Sequence, residues 1–381
     1  MKEYAVNLIR LIISPSQLYK LRIATDWLRE QLGRACIWRW EITRLPNRMN
    51  SPYDILYIGR KAQRELAKTL LKVDGDLETS VAKVDISNRT VLVSEISVPG
   101  ALSVPWKLST IIPLGRTIDE ITAGYGKSVR QFLRTHRTGY HIQQVFSDAE
   151  IDRANREMLQ PYAMARHGAG AGHFPTDSVR RLAKKLGRLD FVLLGDEVVA
   201  CKLGKEVIYA GKRYWNSIRV GYPEAVFSNP KRLREVNAIN THLALEWAIE
   251  HGFDYYDIGV SKGYPDNGLL QWKRSRGGLL DTMGNHSYFY VRLPKEGTAQ
   301  FLWESPLFAV EHHNLTLHLG LPDGPSDEEI AVRYREMGFG GLFKIHLHCT
   351  RLPSERLLEK LRSLYTHQKS PPILEIIPST S

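Results

Sequence analysis

The stretch between Val236 and Gly278 does most to limit what this chain can fold into. Ile239, Leu243 and Trp247 recur every four residues within 237–252, which stacks them on one face of a helix. Gly252 follows the last periodic residue, where a helix end favours a left-handed residue. Residues 253–259 (FDYYDIG) are short, aromatic and closed by glycine, which reads as a strand. A helix passing directly into a strand is half of an αβ unit and demands a sheet with helices against it. Along the strand Tyr255 and Asp257 share a face and Tyr256 takes the other. Asp257 falls near the C-terminal end of the strand, where open α/β sheets tend to receive ligands. After a polar loop at 261–267, residues 269–278 bring Lys273, Arg274 and Arg276 toward the same sheet edge.

Upstream, 189–194 and 198–203 flank Gly195-Asp196-Glu197 and form the clearest hairpin in the chain. Further strands are expected at 110–115, 205–209 and 212–220. Helices are expected at 117–123, 152–164 and 177–186. A helix at 128–137 sets Arg130, Arg134 and Arg137 at i, i+4 and i+7, opposite Val129, Phe132, Leu133 and His136. That basic stripe suits either an anion-facing surface or a solvated face. The glycine-rich run 167–174 has no preceding strand and no Gly-Lys-Ser/Thr, so it is neither a P-loop nor a dinucleotide turn. It reads as a loop over a site or as a plain connector.

Residues 1–107 read as an α/β domain, with helices at 17–32 and 61–71 and strands at 53–58, 80–86 and 90–96. A Pro/Gly-rich connection at 98–105 closes it. The middle domain is expected at 108–299. Residues 300–381 read as a small α/β appendage, with a capping-box spacing at Ser326–Glu329 and strands near 307–319, 343–349 and 373–377. His312, His313, His346 and His348 are taken as exposed histidines, and no metal site is expected. His242, off the apolar stripe, is expected at the surface.

The 381 residues suit two or three domains, and 43% hydrophobic with 24% charged residues supplies an ordinary core. Three widely spaced cysteines fit buried thiols in a reducing compartment. No run approaches the roughly 18 apolar residues of a membrane span. The apolar patch at 6–13 is broken by Asn7 and Arg10, unlike a signal-peptide core. A cytoplasmic location is the default expectation, and the oligomeric state is open. The net charge of +11 favours anionic partners such as phosphates, tRNA, coenzyme A, acidic carrier proteins or acidic lipids.

Residues 242–261 (HLALEWAIEHGFDYYDIGVS) with 268–278 (GLLQWKRSRGG) resemble the closing motif of the Fem-like and cellulose-biosynthesis-protein-like branch of the GNAT acyltransferase superfamily. There a helix ending in Gly leads to a Tyr-x-Asp-x-Gly strand, and Phe-Lys precedes an Arg and a Gly pair. Trp272-Lys273 stands in the Phe-Lys place. The resemblance spans residues 108–292, and 193–204 (LLGDEVVACKLG) resembles the strand pair ahead of the family's acyl-donor site.

It implies a GNAT-like mixed twisted sheet flanked by helices, an α/β (α+β) fold in tandem halves, with residues 1–107 as a degenerate first half. It implies transfer of an acyl or aminoacyl group from aminoacyl-tRNA, acyl-CoA or an acyl carrier protein to an amine of a small molecule, peptide or cell-envelope precursor. No permanently bound cofactor is expected. The resemblance assigns Lys273 to the acyl donor or to the developing negative charge. Such a reaction needs the amine deprotonated and the oxyanion stabilised. Asp257 is the candidate base or orienting carboxylate, and Tyr255 and Tyr214 are candidate hydroxyls for the leaving group.

One departure bears on the donor. The usual pyrophosphate turn, Gln/Arg-x-x-Gly-x-Gly/Ala, is replaced by the glycine-free residues 228–236. Helix N–H groups could still meet a phosphate, but the close approach that glycine permits is lost. This shifts the expectation toward tRNA or a carrier protein, with Lys231, Arg232, Arg234, Arg274 and Arg276 as donor-binding cations and Arg130, Arg134 and Arg137 on the substrate. The alternatives are a non-catalytic GNAT-like scaffold and a nucleic-acid-binding protein that grips phosphate with its Arg-rich helices.

Overall fold

A computed structural model of the chain describes residues 15–45, 51–73, 86–168, 172–283, 287–365 and 370–379. The expected strand at 80–86, the apolar patch at 6–13 and the middle of the glycine-rich run fall wholly or largely outside them. In chain order the strands are β1 (Trp40–Leu45), β2 (Asp54–Arg60), β3 (Thr90–Ser94), β4 (Leu102–Pro105), β5 (Lys107–Pro113), β6 (Tyr140–Gln144), β7 (Gly187–Leu194), β8 (Glu197–Tyr209), β9 (Lys212–Gly221), β10 (Tyr255–Lys262), β11 (Leu279–Asp281), β12 (Tyr288–Arg292), β13 (Leu307–Glu311), β14 (Asn314–Leu321), β15 (Lys344–Cys349) and β16 (Ile373–Pro378). The α/β class is as expected. The division is not: the described chain forms two compact units rather than three consecutive domains, and it passes between them repeatedly.

The first unit is built on Ile111–Gly259 with Ser275–Gly278. Its sheet runs β5-β10-β9-β8-β7-β6. Strands β6 to β9 are antiparallel neighbours, and β9 meets β10 in parallel. The long helix Pro230–Glu250 makes the crossover between β9 and β10. Gly252 takes φ +68 just after it, the left-handed residue its position called for. Ile239 and Leu243 are buried against Trp215 and Tyr256 of the sheet and Tyr222 just past β9, and Trp247 packs on Trp215 and Phe253. His242 is also buried, contrary to the surface expectation, and its Nε2 lies 3.3 Å from Glu246. A helix covered on more than one side buries residues off its main stripe, and here the helix Lys127–His136 packs beside it. The other sheet face carries Cys201, Leu203, Leu189 and Phe191 against Ile151, Met158, Leu159 and Val179.

The second unit is built on Leu21–Thr110, Val260–Arg274 and Leu279–Ser381. One sheet runs β1-β2-β3-β12-β4, so β12, well downstream of residue 107, lies between β3 and β4. Its core joins Ile55, Tyr57, Val91, Val93, Phe289 and Val291 to Leu70 and Leu71 of the helix Arg64–Leu71. The second sheet runs β13-β14-β15-β16. Leu315, Leu317, Leu319, Ile345 and Leu347 pack under the helices Asp327–Met337 and Glu355–Ser363. The same cluster takes in Leu108, Leu270 and Leu280, so residues 300–381 are no detached appendage. The capping box at Ser326 and Glu329 forms as read. His346 and His348, expected exposed, are buried, whereas His312 and His313 are exposed at the β13–β14 turn. Among the described residues no helix is long and apolar enough to cross a membrane.

Candidate active site

The parallel ladder between β9 and β10 has three rungs: Tyr214–Tyr255, Trp215–Tyr256 and Asn216–Asp257. Beyond the third, β9 continues to Gly221 and stays paired with β8, but among the described residues its ladder with β10 has ended. Asp257 closes the ladder. One carboxylate oxygen accepts from the Gly259 N–H at 2.7 Å, and the other accepts from the Asn216 side-chain amide. Gly259 takes φ +80, which turns β10 out of the extended conformation at a cost that only glycine escapes. Asp257 is 5% exposed. Fixed by donors on both oxygens, it is built to hold the ends of the two strands in register, which suits an orienting carboxylate better than a base.

Tyr214 and Tyr255 occupy one rung on the Asp257 face, with rings stacked at 4.8 Å and 17°. The expectation that Tyr255 and Asp257 share a face therefore holds, and Tyr214 joins them. Tyr256 points to the opposite, helix-covered face, where the Lys202 ammonium sits 4.9 Å from its ring centre. Lys202 stands across the ladder from Asp190, and Arg188 pairs with that carboxylate. Burial lowers Lys202 to about 7 and raises Asp190 to about 6. Tyr125 lies under the Arg276 guanidinium at 5.4 Å. Burial pushes the Tyr125 hydroxyl up to about 12 and draws Arg276 down.

Past the last rung, Arg219 of β9 donates to the Gly172 carbonyl at 2.8 Å and lies 5.3 Å from the Phe174 ring. The described end of the glycine-rich run is thus anchored beside the segment where the ladder has stopped. Asn155 fixes it further, donating to the Phe174 carbonyl at 3.3 Å. A cleft of 540 Å³ opens here, lined by Asp152, Asn155, Arg156, Gln160, Met164 and Thr176.

The expected cations differ in exposure and in partners. Arg137 is spent on structure: it donates to Glu246 at 3.0 Å and to the Tyr140 carbonyl at 3.1 Å. Arg130 is half-buried and Arg134 exposed. Lys231 and Arg234 are exposed at the start of the Pro230–Glu250 helix, with Arg232 half-buried. Asn229 caps that helix, its side-chain oxygen accepting from the Lys231 and Arg232 N–H groups at 3.1 Å each. Pro230 has no N–H, so the donors that a phosphate would have used are already engaged. Arg274 belongs to the second unit. Its Nη1 donates to the carbonyls of Arg335, Glu336 and Gly338 at 2.6, 2.8 and 3.0 Å, closing the Asp327–Met337 helix. Lys273, also of the second unit, is 2% exposed on the helix Gly268–Arg274. Arg276 is the member of this basic segment that shares a unit with Asp257.

Sequence reasoning missed Asn216, Arg219, Lys202 and Asp190. A lysine between Cys201 and Leu203 in an apolar strand was a readable sign. Nothing in the local sequence marked Asn216, whose role depends on register.

No family model matches the sequence, and no curated protein matches it. Among solved structures the chain is similar to that of FemX (13% identity, TM-score 0.38, 69% of this chain and 90% of that one). It is also similar to L-PGS from Bacillus licheniformis (14%, 0.36, 66% and 80%) and to a GCN5-related N-acetyltransferase from Kribbella flavida (14%, 0.26, 70% and 93%).

Proposed function

We propose that this chain is an acyltransferase that moves an acyl or aminoacyl group from an activated ester or thioester to an amine, at the point where β9 and β10 cease to pair. The observation that carries this reading is the three-rung ladder closed by Asn216 and Asp257. Strand edges released from a ladder offer backbone N–H and C=O groups that need partners. An extended acyl donor supplies complementary ones. The amine nitrogen attacks the donor carbonyl carbon, the C–O or C–S bond breaks, and the nitrogen gives up a proton. Asp257 acts as a positioning residue for the reacting edge, and the Tyr214–Tyr255 pair presents hydroxyls for the departing oxygen or sulfur. Lys273 on the donor rests on the motif resemblance alone.

The self-capped start of the Pro230–Glu250 helix disfavours a coenzyme A pyrophosphate cradle there. With a net charge of +11, aminoacyl-tRNA or an acyl carrier protein is the preferred donor. The test is consumption of aminoacyl-tRNA, acyl-CoA and acyl carrier protein in the presence of an amine panel. Turnover with at least one donor is expected, with Asp257→Asn and Asn216→Ala each lowering kcat by roughly 10²-fold. Tyr255→Phe should lower kcat while leaving Tm unchanged. Absence of turnover with all three donors, or full activity in Asp257→Asn and Tyr255→Phe, would overturn the reading.

A further inference from the structure

The polar face of the β13–β16 sheet gathers side chains that the acyl-transfer reading does not use. His318, His346 and Glu375 stand side by side across three parallel strands. Glu311 ends β13 beside a two-residue turn in which His312 and His313 both take positive φ, +48 and +68. That pattern is the tight hairpin turn whose twist matches the strands. It folds Glu311 back over the two imidazoles. One Glu311 oxygen lies 3.0 Å from His318 Nε2 and the other 3.1 Å from His346 Nε2. The two rings stack at 4.4 Å.

We infer that Glu311, His318 and His346 form a binding site for a divalent transition metal, with zinc the best-suited ion. One ligand atom from each residue lies within 4.8 Å of the other two. Around a tetrahedral zinc with bonds of about 2.0–2.1 Å, donor atoms sit roughly 3.3 Å apart, so small side-chain rotations admit the ion. Two imidazoles and one carboxylate form a donor set that zinc accepts while leaving a fourth position. Glu311 is one-third exposed and gives that position a route to solvent, while His318 and His346 are buried.

The groups behind the ligands fit the same assignment. His318 Nδ1 lies 3.0 Å from His348 Nε2, and His346 Nδ1 lies 3.1 Å from a Glu375 oxygen. A metal on each Nε2 leaves the proton on Nδ1, where His318 donates it to His348 and His346 turns it toward the Glu375 carboxylate. This is the usual way an imidazole ligand is oriented from behind. A hydrogen-bonded cluster without metal places the His346 proton on Nε2 toward Glu311. Nδ1 is then a bare lone pair facing a Glu375 oxygen 3.1 Å away, an unfavourable contact. The inference concerns the second unit and stands whether or not the acyl-transfer proposal survives.

The test uses the full chain, stripped with a chelator and dialysed against Zn²⁺ and, separately, Co²⁺. Wild type should retain one zinc per chain, melt at higher temperature with zinc than without, and give a visible Co²⁺ d–d band. Glu311→Gln and His346→Asn should abolish retention and the band. Glu375→Gln should weaken binding by roughly 10- to 100-fold. His141→Asn, on an exposed position of β6, should behave as wild type. If the histidine variants fold poorly, Glu311→Gln and the wild-type Co²⁺ spectrum decide. Zinc retention no greater in wild type than in Glu311→Gln, or no d–d band in wild type, overturns the site.

Discussion

At the residue scale, Lys202 is a group whose chemistry departs far from its sequence appearance. Read along the chain it is one lysine in a hairpin strand. In the fold it is fully enclosed, facing Tyr256 and opposite Asp190. Burial lowers its folded pKa to about 7 from an ordinary 10.5. Between those values the unfolded chain binds a proton that the folded chain does not, so stability rises as pH climbs from about 7 toward 10.5. The slope approaches 1.4 kcal/mol per pH unit where one proton separates the states. Asp190, raised to about 6, acts in a lower window and with the opposite sign: its share of stability falls as pH rises from about 4 to 6. Lys202→Met should therefore be more stable than wild type near pH 7, and the two should converge near pH 10. Thermal melts of both proteins from pH 6.5 to 10 measure the convergence, and parallel curves would refute the assignment. Asp257 teaches the complementary lesson. Its type and strand position were legible, but the engagement of both its oxygens was not, because Asn216 lies 41 residues away and enters only through register.

At the element scale, the parts governed by local periodicity were legible: the glycine-closed crossover helix, the 189–203 hairpin and the capping box at Ser326. Local periodicity does not say what an element's polar residues will meet. Lys273, Arg274 and Arg276 lie within four positions, and their sequence clustering suggests one shared anion. In the fold Arg274 becomes the cap of a helix that begins 53 residues later. Its guanidinium satisfies carbonyls that the helix leaves open, and it stacks 5.3 Å from the Phe339 ring. Arg274→Met keeps much of the apolar stem and removes the donors. Leaving those carbonyls short of partners should cost about 1–3 kcal/mol. Chemical denaturation should register that loss, with donor affinity of the folded variant unchanged. A stable variant with weakened donor binding would return Arg274 to the role its sequence position suggested.

At the scale of the whole molecule, the sequence reads as three successive domains because composition and turn signals change near residues 107 and 300. The fold ignores both boundaries. The strand β12 is inserted between β3 and β4, and Leu108, Leu270 and Leu280 are buried in the core beneath β13–β16. A chain that returns to one core from distant segments leaves no local mark, since each segment carries only its own share of apolar residues. The consequence can be tested by truncation. A chain ending at residue 299 loses the strands and helices that cover Leu108, Leu270 and Leu280, each at most 5% exposed in the intact protein. It also removes Phe301, Leu302 and Leu307 from the five-stranded sheet's core. Uncovering a fully buried leucine forfeits roughly 1.5–3 kcal/mol, so losing several exceeds the stability of an ordinary domain. The truncated chain should be insoluble or lose the part of its melting transition that the second unit contributes, whereas an independent appendage would leave 1–299 folded and melting near the temperature of the intact protein. Expression of the two lengths side by side, with circular dichroism of the soluble fraction, separates these outcomes. Folding of the shorter chain would restore the three-domain reading that its sequence suggests.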